Sequence, residues 1–296
     1  MRQDGQDRLD RQDGKTLREF VAAASDRLRD AGISQAANLD ARLLAQHVLG
    51  WDAARLLASA GDIAPDSFPA AFDALIVRRA AREPIAYITG HREFYGLEFE
   101  ITPAVLIPRP ETELVVEAAL ASVPEAQLFT MIDACTGCGN IAVAVATERR
   151  NARIVATDVS AEALVVARRN AARHGVQSRV NFVRADLFGD LSGPVDLITA
   201  NPPYVAERNA AGLQPEVGAH EPHVALFGGN DGLTMVERVV REAPPLVRPG
   251  GHLIFEFGFG QEVEVEALVK SSKDFVLLDL KRDLQGIART VIARRV

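Results

Sequence analysis

The sequence has few of the residues from which covalent or metal cross-links are built. Its 296 residues include two cysteines, Cys135 and Cys138, and six histidines. Two cysteines cannot form the disulfide framework that holds together small secreted proteins. A zinc site would need further ligands, and the only close histidine pair, His220 and His223, has Pro222 between its members. We therefore expect neither a disulfide framework nor a metal site.

Long apolar segments and an excess of positive charge are also missing. The uninterrupted apolar run at residues 141–146 is far too short to cross a bilayer. The polar N-terminus lacks the apolar core of a secretory signal. We therefore expect a cytoplasmic protein that does not contact a membrane. The net charge of −7 opposes long-range attraction to nucleic acid phosphates, so we expect no direct nucleic acid binding. The net charge alone does not exclude a local basic patch.

The pattern along the chain predicts four segments. Residues 1–14 are polar without periodicity, and we expect them to be disordered. Residues 15–88 show helical spacing, for instance at Leu39, Leu43 and Leu44, and Gly50 suits a helix end. This segment is predicted to be a small all-helical domain. Residues 92–102 alternate apolar and polar positions around Gly96, which indicates a β-hairpin, and we assign residues 89–110 to a linker that contains it. Residues 111–296 form the larger domain.

The larger segment alternates strand and helix patterns, which predicts an α/β fold. The candidate strands are residues 129–135, 153–159, 180–186, 195–201, 252–258, 275–281 and 289–295. Helices are expected between the first five, the clearest at residues 161–174, with Ser160 as N-cap and Gly175 past its end. A short turn between the last two strands predicts an antiparallel hairpin. The expected architecture is a seven-stranded, mostly parallel, doubly wound sheet that follows a small all-helical N-terminal domain.

The segment Asp-Ala-Cys-Thr-Gly-Cys-Gly-Asn at residues 133–140 follows the first predicted strand and precedes a helix that begins near Ile141. In a doubly wound sheet the ligand lies at the carboxyl ends of the strands, where the strand order reverses. Glycines in that position let the backbone approach a ligand closely. The spacing does not match G-x-G-x-x-G, so the dinucleotide fingerprint is absent. A redox role for the C-x-x-C pair requires a low-pKa thiol at a helix start and stays an alternative.

Two acidic residues end the next predicted strands. Asp158 is placed to accept hydrogen bonds from both ribose hydroxyls of a bound nucleoside. The alternative is an acid at the start of the helix that follows Ser160. Asp186 is placed to meet an adenine amino group, and the alternative is a polar strand cap.

The most specific motif is Asn201-Pro202-Pro203-Tyr204, at the end of the fourth predicted strand. Two prolines cannot donate to a strand ladder, so the strand must stop here. Pro203 also favours an extended conformation of Pro202. The Asn201 side chain and the Pro202 carbonyl are then free to accept hydrogen bonds, and Tyr204 offers an aromatic face. Two acceptors and a ring suit a planar –NH2 group, while a plain proline-rich strand exit is the alternative.

With these motifs the chain resembles the PrmC (HemK) family of S-adenosylmethionine-dependent methyltransferases. That family methylates N5 of the glutamine in the Gly-Gly-Gln motif of class I peptide chain release factors. The resemblance extends from about residue 15 to the end of the chain. It rests on LDARLL at 39–44, EPIAYITG at 83–90, REFY at 92–95, IPRPETE at 107–113, the loop at 133–142, NPPY at 201–204 and Glu-Pro at 221–222. Because Asn-Pro-Pro-Tyr is shared with adenine-N6 DNA methyltransferases, the IPRPETE segment and the helical domain are what narrow the resemblance to this family.

The resemblance implies a class I methyltransferase fold, with residues 111–296 as the catalytic domain and S-adenosylmethionine as the cofactor. It implies class I release factors as the protein substrate, recognised with the help of the helical domain. By the same resemblance, the substrate glutamine is held by Asn201, Pro202, Pro203 and Tyr204, of which Asn201, Pro202 and Tyr204 are catalytic. The cofactor roles fall on Cys135, Thr136, Gly137, Cys138, Gly139, Asp158, Asp186, Leu187 and Asn201.

One position departs from the family pattern. The family usually has glycine at the position of Cys135 and often serine or threonine at that of Cys138. Cysteine is small, so we expect it to be tolerated, with weaker cofactor affinity if the Cys135 side chain crowds the methionine moiety. Both cysteines fall in the cofactor loop, which favours an incidental C-x-x-C pair.

Two other functions stay open at this point. An adenine-N6 DNA methyltransferase would use the same pocket chemistry, but the acidic charge and the lack of an obvious basic insertion argue against it. A non-catalytic protein-binding module with a vestigial cofactor site would agree with the unusual Cys135, but the intact Asn-Pro-Pro-Tyr motif argues against that alternative.

Overall fold

The structure is a computed structural model that describes residues 14–296; the predicted tail, apart from Gly14, lies outside the described residues. The chain divides into two compact units, one ending at Thr89 and the other comprising Gly90–Val296. All of the predicted hairpin linker except Thr89 therefore belongs to the second unit. No helix within residues 14–296 combines the length and the apolar character that a membrane span needs.

The first unit is helical, as predicted. Its helices are α1 (Leu17–Asp30), α2 (Ala37–Leu49), α3 (Ala53–Ala58), α4 (Phe68–Ala80) and α5 (Ile85–Thr89). A capping box begins α1, because the Thr16 hydroxyl accepts from the Glu19 amide and the Glu19 carboxylate accepts from the Thr16 amide. Gly50 ends α2 in the left-handed conformation with φ of 64°, which confirms the predicted helix end.

A buried ion pair joins two helices of this unit. The Arg79 guanidinium on α4 donates to the Asp40 carboxylate on α2 at 2.8 Å, and the two side chains are only 7% and 8% exposed. The apolar core around α1, α2 and α4 includes Leu28, Leu44 and Phe72. Removing one partner of a buried ion pair leaves the other charged and unpaired, so this contact matters more to stability than an exposed pair does.

The second unit opens with the predicted β-hairpin. Strands β1 (His91–Phe94) and β2 (Leu97–Glu100) pair antiparallel, and the turn residues Tyr95 and Gly96 have φ of 53° and 71°. Positive φ at both central residues is the geometry of a two-residue hairpin turn. A 3-10 turn at Pro110–Thr112 then leads into α6 (Glu113–Ser122).

The main sheet of the second unit has seven strands within the described residues, as predicted. They are β3 (Phe129–Ala134), β4 (Ala152–Asp158), β5 (Val180–Arg184), β6 (Val195–Ala200), β7 (Val247–Glu256), β8 (Phe275–Arg282) and β9 (Ala288–Arg295). Their spatial order is β5-β4-β3-β6-β7-β9-β8. Pairing is parallel from β5 to β7 and antiparallel where β9 meets β7 and β8. The predicted C-terminal antiparallel hairpin is confirmed.

Helices and turns connect these strands. The helices are α7 (Asn140–Glu148), α8 (Ala161–Arg173), α9 (Pro215–His220), α10 (His223–Leu226), α11 (Thr234–Glu242) and α12 (Glu262–Ser271), with a further 3-10 segment at Glu207–Gly212. Ser160 caps α8 as predicted, since its hydroxyl accepts from the Ala163 amide. Gly175, just past the end of α8, has φ of 68°.

The expectation of a helix between each of the first five strands is wrong at one connection. The chain passes from β5 to β6 through turns alone. Gly189, Gly193 and Pro194 fall within this short segment and prevent a helix there. Strand β5 also ends at Arg184, so Asp186 does not end the strand but lies two residues beyond it.

We predict that Asp40→Ala lowers the free energy of unfolding of the helical unit by about 3 kcal/mol, because it leaves the Arg79 guanidinium buried without its carboxylate. Urea unfolding followed by the fluorescence of Trp51, the only tryptophan of the chain, reports on this unit.

The matched control is Asp73→Ala. Asp73 pairs with Arg27 at 2.7 Å, but the two side chains are 65% and 47% exposed. Its loss should cost no more than about 1 kcal/mol. Equal costs for the two substitutions would contradict the importance assigned to the buried pair.

Candidate active site

The strand order reverses at β3, which pairs with β4 on one side and β6 on the other. In register, Ala134 lies opposite Thr157 on β4 and opposite Ala200 on β6. The next residue on each strand is therefore at the same edge of the sheet: Cys135, Asp158 and Asn201. The glycine loop, the second-strand acid and the Asn-Pro-Pro-Tyr motif thus meet at the carboxyl edge, where ligands bind in open α/β sheets.

A cavity of about 330 Å³ lies at this edge. Of the site residues predicted from the sequence, the wall of this cavity contains Cys135, Thr136, Gly137, Cys138, Asp158, Asp186, Leu187, Asn201 and Pro203. Three other predicted residues, Gly139, Pro202 and Tyr204, do not form part of the wall. The sequence motifs therefore converge on one cavity, although not every residue of each motif lines it.

Glycine is needed at two positions of the loop for different structural reasons. Gly137 has φ of 54°, and a Cβ added there would meet nothing within 4 Å, so its backbone is open on the cavity side. Gly139 has φ of 83°, and an added Cβ would lie 3.2 Å from the Cβ of Ala167 on α8. Gly137 thus keeps space free for a ligand, whereas Gly139 permits close packing of the loop against a helix.

Asp133, which the sequence analysis did not single out, anchors the loop from below. It is fully buried on β3, where its carboxylate accepts from the hydroxyls of Thr136 at 2.6 Å and Thr199 at 2.7 Å. Burial raises the pKa of Asp133 to about 6, and the two hydroxyl hydrogen bonds oppose the shift. The contact fixes the first turn of the loop to both β3 and β6.

Asp158 is hydrogen-bonded to the glycine loop and to the residue that caps α8. Its carboxylate accepts from the Gly137 amide and from the Ser160 amide, both at 2.9 Å. Burial raises the pKa of Asp158. Because a carboxylate offers about four acceptor positions, these two bonds orient the side chain and leave it capacity to accept from a ligand.

Asp186 and Leu187 form another part of the wall. The Arg238 guanidinium on α11 lies 2.9 Å and 3.2 Å from the two carboxylate oxygens of Asp186. Leu187 is buried with φ of 55°, and its carbonyl accepts from the Thr157 hydroxyl at 2.6 Å. A charged partner and a backbone contact therefore fix this turn, although it lies outside any strand.

Hydrogen bonds from several parts of the chain hold the Asn-Pro-Pro-Tyr segment. Asn201 Nδ2 donates to Thr112 Oγ1 at 3.2 Å. The Tyr204 hydroxyl donates to Glu256 at 2.7 Å, and Gln261 donates to the Tyr204 carbonyl at 3.0 Å. The Tyr204 ring, predicted to stack on a bound –NH2 group, has its hydroxyl end held within the protein.

Glycines pack closely around this segment. A Cβ added to Gly228 would collide with the Pro203 carbonyl, and one added to Gly232 would collide with the Tyr204 carbonyl. At Gly258 an added Cβ would lie 3.0 Å from the Tyr204 ring. The sequence analysis missed these glycines, because their partners are distant in the sequence.

A buried acid likewise holds the segment that precedes α6. Glu221 accepts from the Ile107 amide at 3.2 Å and from the Arg109 guanidinium. The IPRPETE and Glu-Pro motifs, quoted separately from the sequence, are thus joined by an ion pair. Pro108 and Pro222, next to these residues, both contribute to the cavity wall.

Asn170 on α8 links the hairpin to the glycine loop. Its Oδ1 accepts from the Glu100 amide at 2.7 Å, and its Nδ2 donates to the Glu100 carbonyl at 3.1 Å and to the Cys138 carbonyl at 2.9 Å. Asn170 is fully buried. All three of these hydrogen bonds are made to backbone groups, so the Asn170 side chain fixes the backbone of two separate segments.

The two cysteines lack the properties of a redox pair. Burial raises the pKa of Cys138 to about 12 and raises the pKa of Cys135 as well, with the nearby Asp158 and Asp133 carboxylates adding to the shift. Neutral thiols are poor nucleophiles. Cys135 also has φ of 57°, in the region that favours glycine, so it occupies a glycine-like position in the backbone.

Comparison with known proteins finds related sequences along nearly the whole chain. The sequence model of the PrmC N-terminal domain matches residues 19–90, and that of the methyltransferase small domain matches residues 113–215. The release factor glutamine methyltransferase of Cereibacter sphaeroides is 44% identical over 276 residues, covering 93% of this chain and 97% of that protein. The protein of the same name from Nitratidesulfovibrio vulgaris is 38% identical over 283 residues, covering 95% of each chain.

Solved structures support the fold. A crystal structure of a methyltransferase from Pyrococcus furiosus aligns with a TM-score of 0.51 at 19% identity, covering 75% of this chain and 96% of that one. This likeness shows a methyltransferase fold.

We predict that iodoacetamide at pH 8 labels neither cysteine readily in the folded protein. The reactive species is the thiolate, and a pKa of about 12 for Cys138 reduces its fraction about a thousandfold relative to an ordinary thiol. Labelling should accelerate as the pH rises, and both thiols should react in denaturant. Mass spectrometry measures the labelling, with glutathione as the reactive control. Rapid labelling of either cysteine in the folded chain would instead support the redox alternative.

Proposed function

Because this chain belongs to the family of release factor glutamine methyltransferases, we propose that it methylates N5 of the glutamine in the Gly-Gly-Gln motif of class I peptide chain release factors. The observation that carries the proposal is the position of Asn201. Its side chain lies in the wall of the cavity formed by the glycine loop and Asp158. Its Nδ2 is bound to Thr112, which leaves Oδ1 to accept from a substrate amide.

We propose S-adenosylmethionine as the methyl donor, held at the carboxyl edge of the sheet. The residues fit such a group: Gly137 leaves open space, Asp158 retains acceptor positions for ribose hydroxyls, and Leu187 gives an apolar surface beside Asp186. When bound, the group supplies an electrophilic methyl on a sulfonium. Cys135 also contributes to the cavity wall, so we propose that its side chain lowers the affinity for the cofactor if it crowds the methionine moiety.

The residues of the chain must make a poor nucleophile react, because an amide nitrogen shares its lone pair with its carbonyl. Asn201 Oδ1 and the Pro202 carbonyl are proposed to accept the two amide hydrogens and to orient the nitrogen. These acceptors stabilise the positive charge that develops on nitrogen in the transition state. Alignment of the nitrogen provides the remaining rate enhancement.

We also propose that the helical unit recognises the release factor away from the glutamine loop, as the family resemblance implies. A cytoplasmic location belongs to the same proposal, because release factors act on ribosomes there.

The test of the function is methyl transfer from S-adenosylmethionine to an unmethylated class I release factor, with the product mapped by mass spectrometry. One methyl group on the Gly-Gly-Gln glutamine is expected, and none on a control release factor in which that glutamine is replaced by alanine. Adenine-containing DNA, assayed in parallel, should stay unmodified. Binding of the cofactor without transfer to the glutamine would refute the proposal.

We predict that Asn201→Ala lowers kcat at least about 100-fold, because it removes an acceptor that acts in the transition state. The Kd for S-adenosylmethionine, measured by calorimetry, should change little. The control is Asn209→Ala, an exposed asparagine in the 3-10 segment at Glu207–Gly212, which should keep the wild-type kcat. A near-wild-type kcat for Asn201→Ala would rule out the proposed role of this side chain.

A further inference from the structure

Glu256 brings together two hydroxyl groups from separate parts of the chain. It is the last residue of β7 and is 1% exposed. Its Oε2 accepts from Thr112 Oγ1 at 2.6 Å, and its Oε1 accepts from the Tyr204 hydroxyl at 2.7 Å. Burial raises the pKa of Glu256, and the hydrogen bonds that it accepts from Thr112 and Tyr204 oppose that shift by stabilising the ionised form. Distances this short are typical of hydroxyl donors on an ionised carboxylate. Glu256 is thus hydrogen-bonded to Tyr204, which belongs to the same motif as Asn201, and to Thr112, which is itself hydrogen-bonded to Asn201.

The carboxylate determines the direction of each hydrogen bond around it. An ionised carboxylate only accepts, so the hydroxyl protons of Thr112 and Tyr204 both point to Glu256. Burial raises the pKa of Tyr204 well above its ordinary value, and the adjacent Glu256 raises it further, so the phenol keeps the proton that it donates. A threonine hydroxyl has one proton, and that of Thr112 is already used. Toward any other neighbour, Thr112 Oγ1 acts as an acceptor.

That neighbour is Asn201. Its amide has a donor end, Nδ2, and an acceptor end, Oδ1, which are close in size and interchange by a half-turn of the side-chain amide. Because Thr112 Oγ1 faces it as an acceptor at 3.2 Å, the donor end must turn to Thr112. We infer that Glu256 is a positioning residue that acts through the Thr112 hydroxyl to keep Oδ1 of Asn201 available as the acceptor for the substrate –NH2 group.

Without this carboxylate the hydrogen-bond direction is no longer defined. The Thr112 proton could then turn to Oδ1 of Asn201, and the amide would present Nδ2 to the substrate. Two –NH2 groups facing each other cannot hydrogen-bond, so turnover would fall although every side chain of the motif remained in place.

A structural measurement tests the orientation alone. In the isotope-labelled full chain, the nuclear Overhauser effect between the Nδ2 protons of Asn201 and the Thr112 methyl group reports which end faces Thr112. We expect this signal in the wild type, and we expect Glu256→Met to weaken it. Glu256→Met keeps a similar volume and removes both acceptors, a change that buried ion sites often tolerate. The control is Tyr204→Phe, which removes only the other hydroxyl and should keep the signal. An unchanged signal in Glu256→Met overturns the inference.

A kinetic test uses the reversed direction of the hydrogen bond between Thr112 Oγ1 and the side chain at position 201. Glu256→Met should lower kcat about tenfold or more, by the free energy of a misdirected hydrogen bond, while the Kd for S-adenosylmethionine stays near that of the wild type. In the Asn201→Asp background, the carboxylate introduced at position 201 can only accept. Because the Thr112 proton points to Glu256, two acceptors then face each other and no hydrogen bond forms between them. There, the same Glu256→Met change frees the Thr112 proton and should raise kcat.

The two backgrounds distinguish positioning from a general structural role. A gain in the double variant over Asn201→Asp supports the inference, even where the single variant has no measurable turnover. Loss by the same factor in both backgrounds, or a double variant no more active than Asn201→Asp, overturns it.

Substitutions of Thr112 provide an independent check. Thr112→Val should reduce kcat as Glu256→Met does, and Thr112→Ser, which keeps the hydroxyl, should recover most of it. Equal losses in Thr112→Val and Thr112→Ser would contradict the inference.

This inference rests on the proposed function, but the experiments separate the two. A wild-type protein that binds cofactor and fails to methylate the release factor refutes the function. The Overhauser signal in the same protein still decides whether Glu256 sets the Asn201 orientation.

Discussion

The parallel pairing of β3 with both β4 and β6 is the constraint on which the site depends. The register puts Thr157 and Ala200 opposite Ala134, so that three loops begin at the same level of the sheet. Parallel strands must be connected by segments that return along the face of the sheet, and their carboxyl ends therefore gather at one edge. Residues far apart in the sequence form one cavity because of this register.

Buried acids then fix several of the segments that surround the cavity. Asp133 holds the glycine loop, Glu221 holds the segment at residues 107–109, and Glu256 holds Thr112 and Tyr204. Each is nearly or fully inaccessible to solvent, and each accepts hydrogen bonds from chain segments that would otherwise be free to move. Burying a carboxylate is costly unless its oxygens are paired, so these contacts define one arrangement of the loops and disfavour others.

The sequence predicts what local rules determine. Turn chemistry at Gly96 predicts the hairpin, and Ser160 predicts the start of α8. The alternating strand and helix patterns predict the seven strands. The β5–β6 connection departs from the α/β repeat because its glycines and proline disfavour a helix. The roles of Glu256, Thr112 and Asp133 depend on side chains brought together by folding, and a single sequence carries no pattern for such contacts. The Thr-x-x-Glu pattern at residues 16–19, in contrast, is a local signal for the capping box that begins α1.

Asn170 gives the second unit a rigid connection that the chain path alone would not provide. One buried side chain joins both backbone groups of Glu100 to the carbonyl of Cys138. This side chain thus bridges the hairpin and the glycine loop. The hairpin also carries the surface ion pairs of Glu98 and Glu100 with α8. The position of the Cys138 carbonyl, in a residue of the cavity wall, is therefore tied to that of Glu100 through a single side chain.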